Sequence, residues 1–295
     1  MVAAIIAMVA NVAGCYLLVE PRFGLPGYGV AGAAWASVGA SFLGFLAIAV
    51  PFLLRTAKEG LPPLGAREFV RFLRFGLPNG LNWFLEFAAF ALFINAVVGH
   101  LGTTTLAAFN VVMQLNSIAF MPAFGLASGG AILVGEAIGR NAHREVWPIV
   151  RLSTLVAGAW MGTIGLLYAT APAFLMQWFR PRDLSADTLV RTGATMLVFA
   201  AFWQLFDAVN MTVGEALRAA GDTVWCMTAR IVLAWLVFTP AAWVAVFRFG
   251  GGITATMISL IGYVALLGVT LSLRFASGRW KSINLVGGES EAAMT

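Results

Sequence analysis

Eight long apolar runs constrain this chain before any single motif does. They cover residues 2–18, 29–54, 81–98, 104–134, 147–170, 188–214, 223–247 and 252–273. A helix needs roughly 20 mostly apolar residues to cross a bilayer. The runs are continuously apolar and do not alternate, which disfavours a β-barrel. Only 11% of the 295 residues are charged, and the mean hydropathy is +0.88. A soluble domain carries about 25% charged residues. An ordinary soluble enzyme, a disordered chain and a nucleic-acid-binding module are therefore ruled out. The expected fold is an all-α membrane protein with eight transmembrane helices. The fourth run exceeds one crossing and contains Pro122, which is expected to bend or break it.

The basic residues set the orientation. With eight spans, thirteen Lys and Arg fall on one side, among them Arg140, Arg218, Arg230 and Arg274, and five on the other. The richer side, with both termini, is placed in the cytoplasm, and the protein in the inner (plasma) membrane. The first run lacks a charged leader region and reads as a true span whose N-terminal flank is missing. Residues 65–75 set Phe69, Phe72 and Phe75 on one helical face and Arg67, Arg71 and Arg74 on another. Residues 61–76 are thus expected to form an amphipathic cytoplasmic linker, with the solvated start of the third span as the equal alternative. Residues 281–295 are expected to be a disordered tail. Cys15 and Cys226 lie inside apolar runs and read as packing residues.

Two charges lie inside the spans rather than between them. Glu86 sits in LNWFLEFAAFALFINAVV, and Asp207 in MLVFAAFWQLFDAVNMTV. A carboxylate at that depth is costly unless it is paired, solvated or protonated. No basic residue lies within a helical turn of either in the chain. Both are therefore expected to face the bundle interior and to hold a cation or a proton. Asn82 is one turn before Glu86, and Gln204 and Asn210 flank Asp207. Gln114 lies in the fourth span. Such oxygens, with a carboxylate, suit a hard cation. Glu215, Arg218 and Asp222 read instead as a short charged loop, solvated or gating. His100 and His143 belong to no metal or catalytic pattern, and there is no Walker loop. The expectation is not an enzyme.

A faint internal echo links the turn Arg22-Phe23-Gly24 to Arg248-Phe249-Gly250, each followed by a small-residue helix start. Its period is six helices, the size of a transporter repeat.

The run PNGLNWFLEFAAFALFINAVVGHLGTTTLAAFNVVMQLNSIAFMPAFGLASGGAILVGEAIGRN, residues 78–141, resembles the start of the C-terminal lobe of multidrug and toxic compound extrusion (MATE) transporters. The marks are Gly76-Leu77-Pro78, Leu106-Ala107-Ala108, Phe120-Met121-Pro122 and Val134-Gly135-Glu136. GEALRAAGDT, residues 214–223, is similar to that family's LRGxGDT-like loop, and FGLPGYGVAGAAWAS, residues 23–37, to the turn between its fifth and sixth helices. The resemblance implies two six-helix lobes that rock to export cationic or amphipathic drugs in exchange for Na⁺ or H⁺. It implies that residues 1–60 are the last two helices of a first lobe and 77–280 a complete second lobe, with four helices missing in front. In the NorM-like branch, a Glu and an Asp at the positions of Glu86 and Asp207 bind the coupling cation, Na⁺ if sodium-coupled. Asn82 and Asn210 would assist them. A Tyr common four residues before that Asp is here Trp203.

The expected function is a cation-coupled antiporter for xenobiotics with no cofactor. Its cargo would meet Trp83, Trp203, Gln204 and Gln114. The missing helices or a second chain would complete it. The rivals are a flippase for a lipid-linked precursor, disfavoured by the lack of an intramembrane Lys or Arg, and a non-transporting membrane fragment.

Overall fold

The computed structural model describes residues 2–21, 26–59, 65–180 and 186–283. In hydrocarbon every backbone amide and carbonyl needs an internal partner, which the α-helix supplies within each segment. The apolar runs accordingly become helices: α1 (Val2–Leu18), α2 (Gly29–Glu59), α3 (Ala66–Leu92), α4 (Thr103–Gly139), α5 (His143–Thr170), α6 (Pro172–Gln177), α7 (Ala186–Ala219), α8 (Thr223–Val232), α9 (Thr239–Trp243) and α10 (Ile253–Ala276). Seven helical stretches are long and apolar enough to span, and Val2–Leu18 is a shorter eighth. Between α3 and α4, and on either side of α9, the helices widen into π turns at Phe93–Val98, Leu233–Phe238 and Val244–Arg248.

The chain divides into two compact units, Met1–Val70 and Arg71–Thr295. In the first, α1 and α2 form an antiparallel hairpin with a seam of small residues. Gly32, Ala36, Ala40 and Gly44 are its buried positions, spaced by four along one face of α2. A Cβ on Gly14 would come within 2.8 Å of the Ala36 methyl, and one on Gly32 would collide with the Leu18 carbonyl. The helices approach backbone to backbone, as membrane helices do where side chains are small. Asn11 Nδ2 donates to Ser37 Oγ at 3.0 Å across the seam.

In the second unit α7 is the most buried spanning helix. It packs on α4, α5 and α10. One core cluster gathers Phe93, Phe109, Trp203 and Phe238, with the Phe93 and Phe238 rings 4.8 Å apart. A second gathers Val146, Leu217, Cys226 and Phe275. The turns after α4 and α7 share one geometry. Asn141 and Gly221 adopt positive φ, and the amides of Ala142 and Asp222 reach back to the carbonyls of Ala137 and Leu217. This is the Schellman closure, for which Gly and Asn are the suited residues.

Two expectations are corrected here. Of the two outcomes expected at Pro122, a bend or a break, the break does not occur, because α4 continues through it. Trp160 Nε1 donates to the Ala119 carbonyl at 3.0 Å, beside the Ile118 carbonyl that Pro122 leaves without an amide donor. Glu215 and Arg218 are not in a loop, since α7 runs to Ala219 and pairs them one turn apart. Residues 66–76 begin α3. The side chains of Arg67, Arg71, Phe72, Arg74 and Phe75 lie outside the described residues, as do residues 61–64 of the expected linker, 22–25 of the internal echo and 284–295 of the expected tail. Residues 279–282 form a 3₁₀ turn anchored by buried Trp280.

Candidate functional site: a carboxylate wall between two cavities

Glu86 on α3 and Asp207 on α7 stand together in the second unit. They line a cavity of about 250 Å³ whose other walls include Phe90, Asn116, Trp203, Phe238 and Tyr263. The same two acids line a smaller, more polar cavity of about 90 Å³, with Asn210, Glu215, Arg218, Arg230 and Tyr263. The pair thus stands between an aromatic chamber and a charged one. Among the described residues no three His, Cys, Asp or Glu gather as a metal cluster.

The absence of a basic neighbour holds along the chain and fails in space. Arg230 Nη1 donates to both oxygens of Glu86, at 2.8 and 3.1 Å, from 144 residues away. Arg230 was counted among cytoplasmic charges; it is buried within the Thr223–Arg248 span. The signal was legible, because it interrupts an apolar run seven residues in. Gly214 of α7 makes room for it, since a Cβ there would stand 3.1 Å from Nη2. The Glu86 side chain keeps 26% exposure and that of Arg230 only 11%. The pair faces the cavities rather than being sealed.

Asp207 differs. It has no hydrogen bond or ion pair with any described residue, while Arg230 and Glu86 supply the charges acting on it. Asn210, one turn on, donates through Nδ2 to the Val264 carbonyl at 2.9 Å and ties α7 to α10. Its Oδ1, the Tyr263 hydroxyl and Arg230 Nε are buried without a hydrogen-bond partner among the described residues. In native interiors such groups are few, and each calls for an explanation.

The remaining expected residues separate. Trp203 lines the aromatic cavity, and its Nε1 donates to Asn116 Oδ1 at 3.3 Å. Gln204 is wholly buried and donates to the same oxygen at 2.8 Å. It braces Asn116 from behind and is not among the lining residues. Gln114 is exposed and does not line this cavity. The side chains of Asn82 and Trp83 lie outside the described residues. Sequence reasoning missed Tyr263: where a Tyr was expected before Asp207 stands Trp203, but α10 brings a phenol to the same acids.

Asp222 corrects the reading of a solvated loop. It is buried and accepts two hydrogen bonds from Arg274, from Nε at 2.6 Å and from Nη2 at 3.1 Å. The Arg274 guanidinium lies 4.9 Å from the Trp225 ring centroid.

The MatE family profile matches residues 79–244. The probable multidrug resistance protein NorM of Agrobacterium fabrum is 29% identical over 288 residues, 92% of this chain and 60% of that protein. That of Caulobacter vibrioides is 30% identical over 94% of this chain and 59% of its own length. In fold, the chain superposes with a TM-score of 0.80 on a MOP superfamily transporter from Pyrococcus furiosus, described as having a binding pocket of reverse polarity. The identity there is 17%, over 96% of this chain and 63% of that one. The chain spans about three-fifths of the length of the curated relatives it matches. With more than half of its residues inside the family's profile, this chain belongs to the MatE family of membrane proteins.

Proposed function

We propose that the protein is a secondary active efflux transporter, exchanging Na⁺ or H⁺ for cationic or amphipathic small molecules across the inner membrane, with both termini cytoplasmic. The observation that carries this reading is Asp207, a carboxylate on the wall of an aromatic cavity without a hydrogen bond or ion pair to any described residue. A half-buried anion of this kind is stabilised by whichever cation reaches it. Coupling ion and cargo then compete for one group, and competition at a shared site is what an exchanger needs. Trp203, Phe90 and Phe238 offer ring faces for an organic cation. The names of the relatives support a transporter over an enzyme.

The flippase rival is reopened by Arg230 and then weakened again. Arg230 is the intramembrane cation that a phosphate headgroup would require, but Glu86 already neutralises it. With Asp207 added, the charge of these three groups is negative.

The test is ethidium efflux from cells expressing the protein. Asp207→Asn should lower ion-driven efflux by about tenfold or more while membrane abundance stays constant, as expected for loss of a buried charge contact. Efflux at the unsubstituted rate would refute the role of Asp207.

A further inference from the structure

We infer that Arg230 is a tethered counter-cation that limits the carboxylate pair to one external positive charge, so that the site selects monocations over dications. The inference rests on the reading of Asp207 as the cation-binding acid. The charged groups facing the two cavities are Glu86, Asp207, Glu215, Arg218 and Arg230. Glu215 is paired with Arg218, and Glu86 with Arg230. Asp207 is left over, and the walls carry a net charge of −1. Without Arg230 the same walls would carry −2, the charge that suits a divalent or bis-cationic ligand.

The packing shows Arg230 to be built in. It reaches from α8 to α3, Gly214 leaves space for its Nη2, and its side chain is 11% exposed. A guanidinium stays charged at any working pH and is fixed to the backbone. Glu86 therefore has a permanent cation, and Asp207 an exchangeable one. The two acids, alike in residue chemistry, divide the work.

The experiment measures equilibrium binding of tetraphenylphosphonium, a monocation, and decamethonium, a bis-quaternary ammonium, to the purified protein in lipid nanodiscs. The unsubstituted protein should bind tetraphenylphosphonium. Arg230→Gln should shift the affinity ratio toward decamethonium by about tenfold or more, because one more uncompensated charge faces the ligand. Glu86→Gln with Arg230→Gln restores the charge of −1 and should return the ratio to its original value. An unchanged ratio in Arg230→Gln overturns the inference, and so does an equal shift in the double variant, which would make the effect one of space. Should Arg230→Gln fail to fold, Glu86→Gln decides alone. It frees Arg230 to face Asp207 and should weaken tetraphenylphosphonium about as much as Asp207→Asn does. No loss overturns the inference. Asp207→Asn separates the two readings: intact tetraphenylphosphonium binding there sinks the proposed function, whereas loss there with no ratio change in Arg230→Gln sinks only the role of Arg230. Binding of neither probe by the unsubstituted protein refutes both.

Discussion

Among the carboxylate–guanidinium pairs of the second unit, two differ more in their surroundings than in their chemistry. Asp222 and Arg274 form a bidentate pair at the end of α7, with side-chain exposures of 6% and 16%, beside the indole of Trp225. Glu86 and Arg230 form a slightly longer pair, at 2.8 and 3.1 Å, but Glu86 opens onto two cavities and Arg230 Nε lacks a hydrogen-bond partner among the described residues. A closed pair braces the turn that joins α7 to α8. An open pair, next to an unpaired Asp207, leaves charge available to a ligand. The lesson is that a buried ion pair is read from what surrounds it. Its distance alone does not tell a brace from a binding site.

The largest effect that tests this contrast is on stability. Asp222→Ala leaves Arg274 without its acid in a mostly buried position and should destabilise the protein by about 3–5 kcal/mol. Thermal unfolding in detergent measures it. The affinity ratio of monocation to dication should not move, because Asp222 lines neither cavity described above. A change in that ratio would break the distinction between brace and site.

A smaller loss is expected at the open pair. Glu86→Gln should destabilise by about 1–3 kcal/mol, the range for leaving one partner of a buried polar contact unsatisfied. Asp207 offers Arg230 a second acid nearby, and the cavity side of Glu86 limits desolvation. A loss equal to that of Asp222→Ala would mean that the open pair is a brace as well.

Much of this arrangement was legible in the sequence. The helices follow the apolar runs closely, since length and hydropathy are local properties. Glu86 and Asp207 stood out because a carboxylate in an apolar run is conspicuous whatever its neighbours. Their convergence on one wall was not legible without the resemblance, because α3 and α7 are joined only by tertiary packing. Arg230 was visible in its run but was assigned to a loop by counting charges per side. Its partner is 144 residues away, and no spacing rule reaches that far. Asp222 was misread for the opposite reason. A Gly-Asp turn looks solvated until α10 supplies Arg274. Gln204 and Trp203 are adjacent in the chain and share an acceptor, yet one braces and the other lines the cavity, a difference of helical rotation that composition cannot express.

The finest test concerns the aromatic neighbour that the closed pair has. Trp225 places its ring 4.9 Å from the Arg274 guanidinium. Among the described residues no comparable ring stacking is seen on Arg230, whose neighbours include Glu86, Asp207, Gly214 and the Tyr263 phenol in the same cavity wall. If that ring helps to close the pair, Trp225→Leu should lower stability by about 0.5–1 kcal/mol through the lost cation–π attraction, and Trp225→Phe should recover part of it. The double variant Trp225→Leu with Asp222→Ala should lose less than the sum of the two single losses, because ring and carboxylate act on one guanidinium. Additive losses would place the contribution of Trp225 in apolar packing around Cys226, and the contrast between the two pairs would then rest on exposure alone.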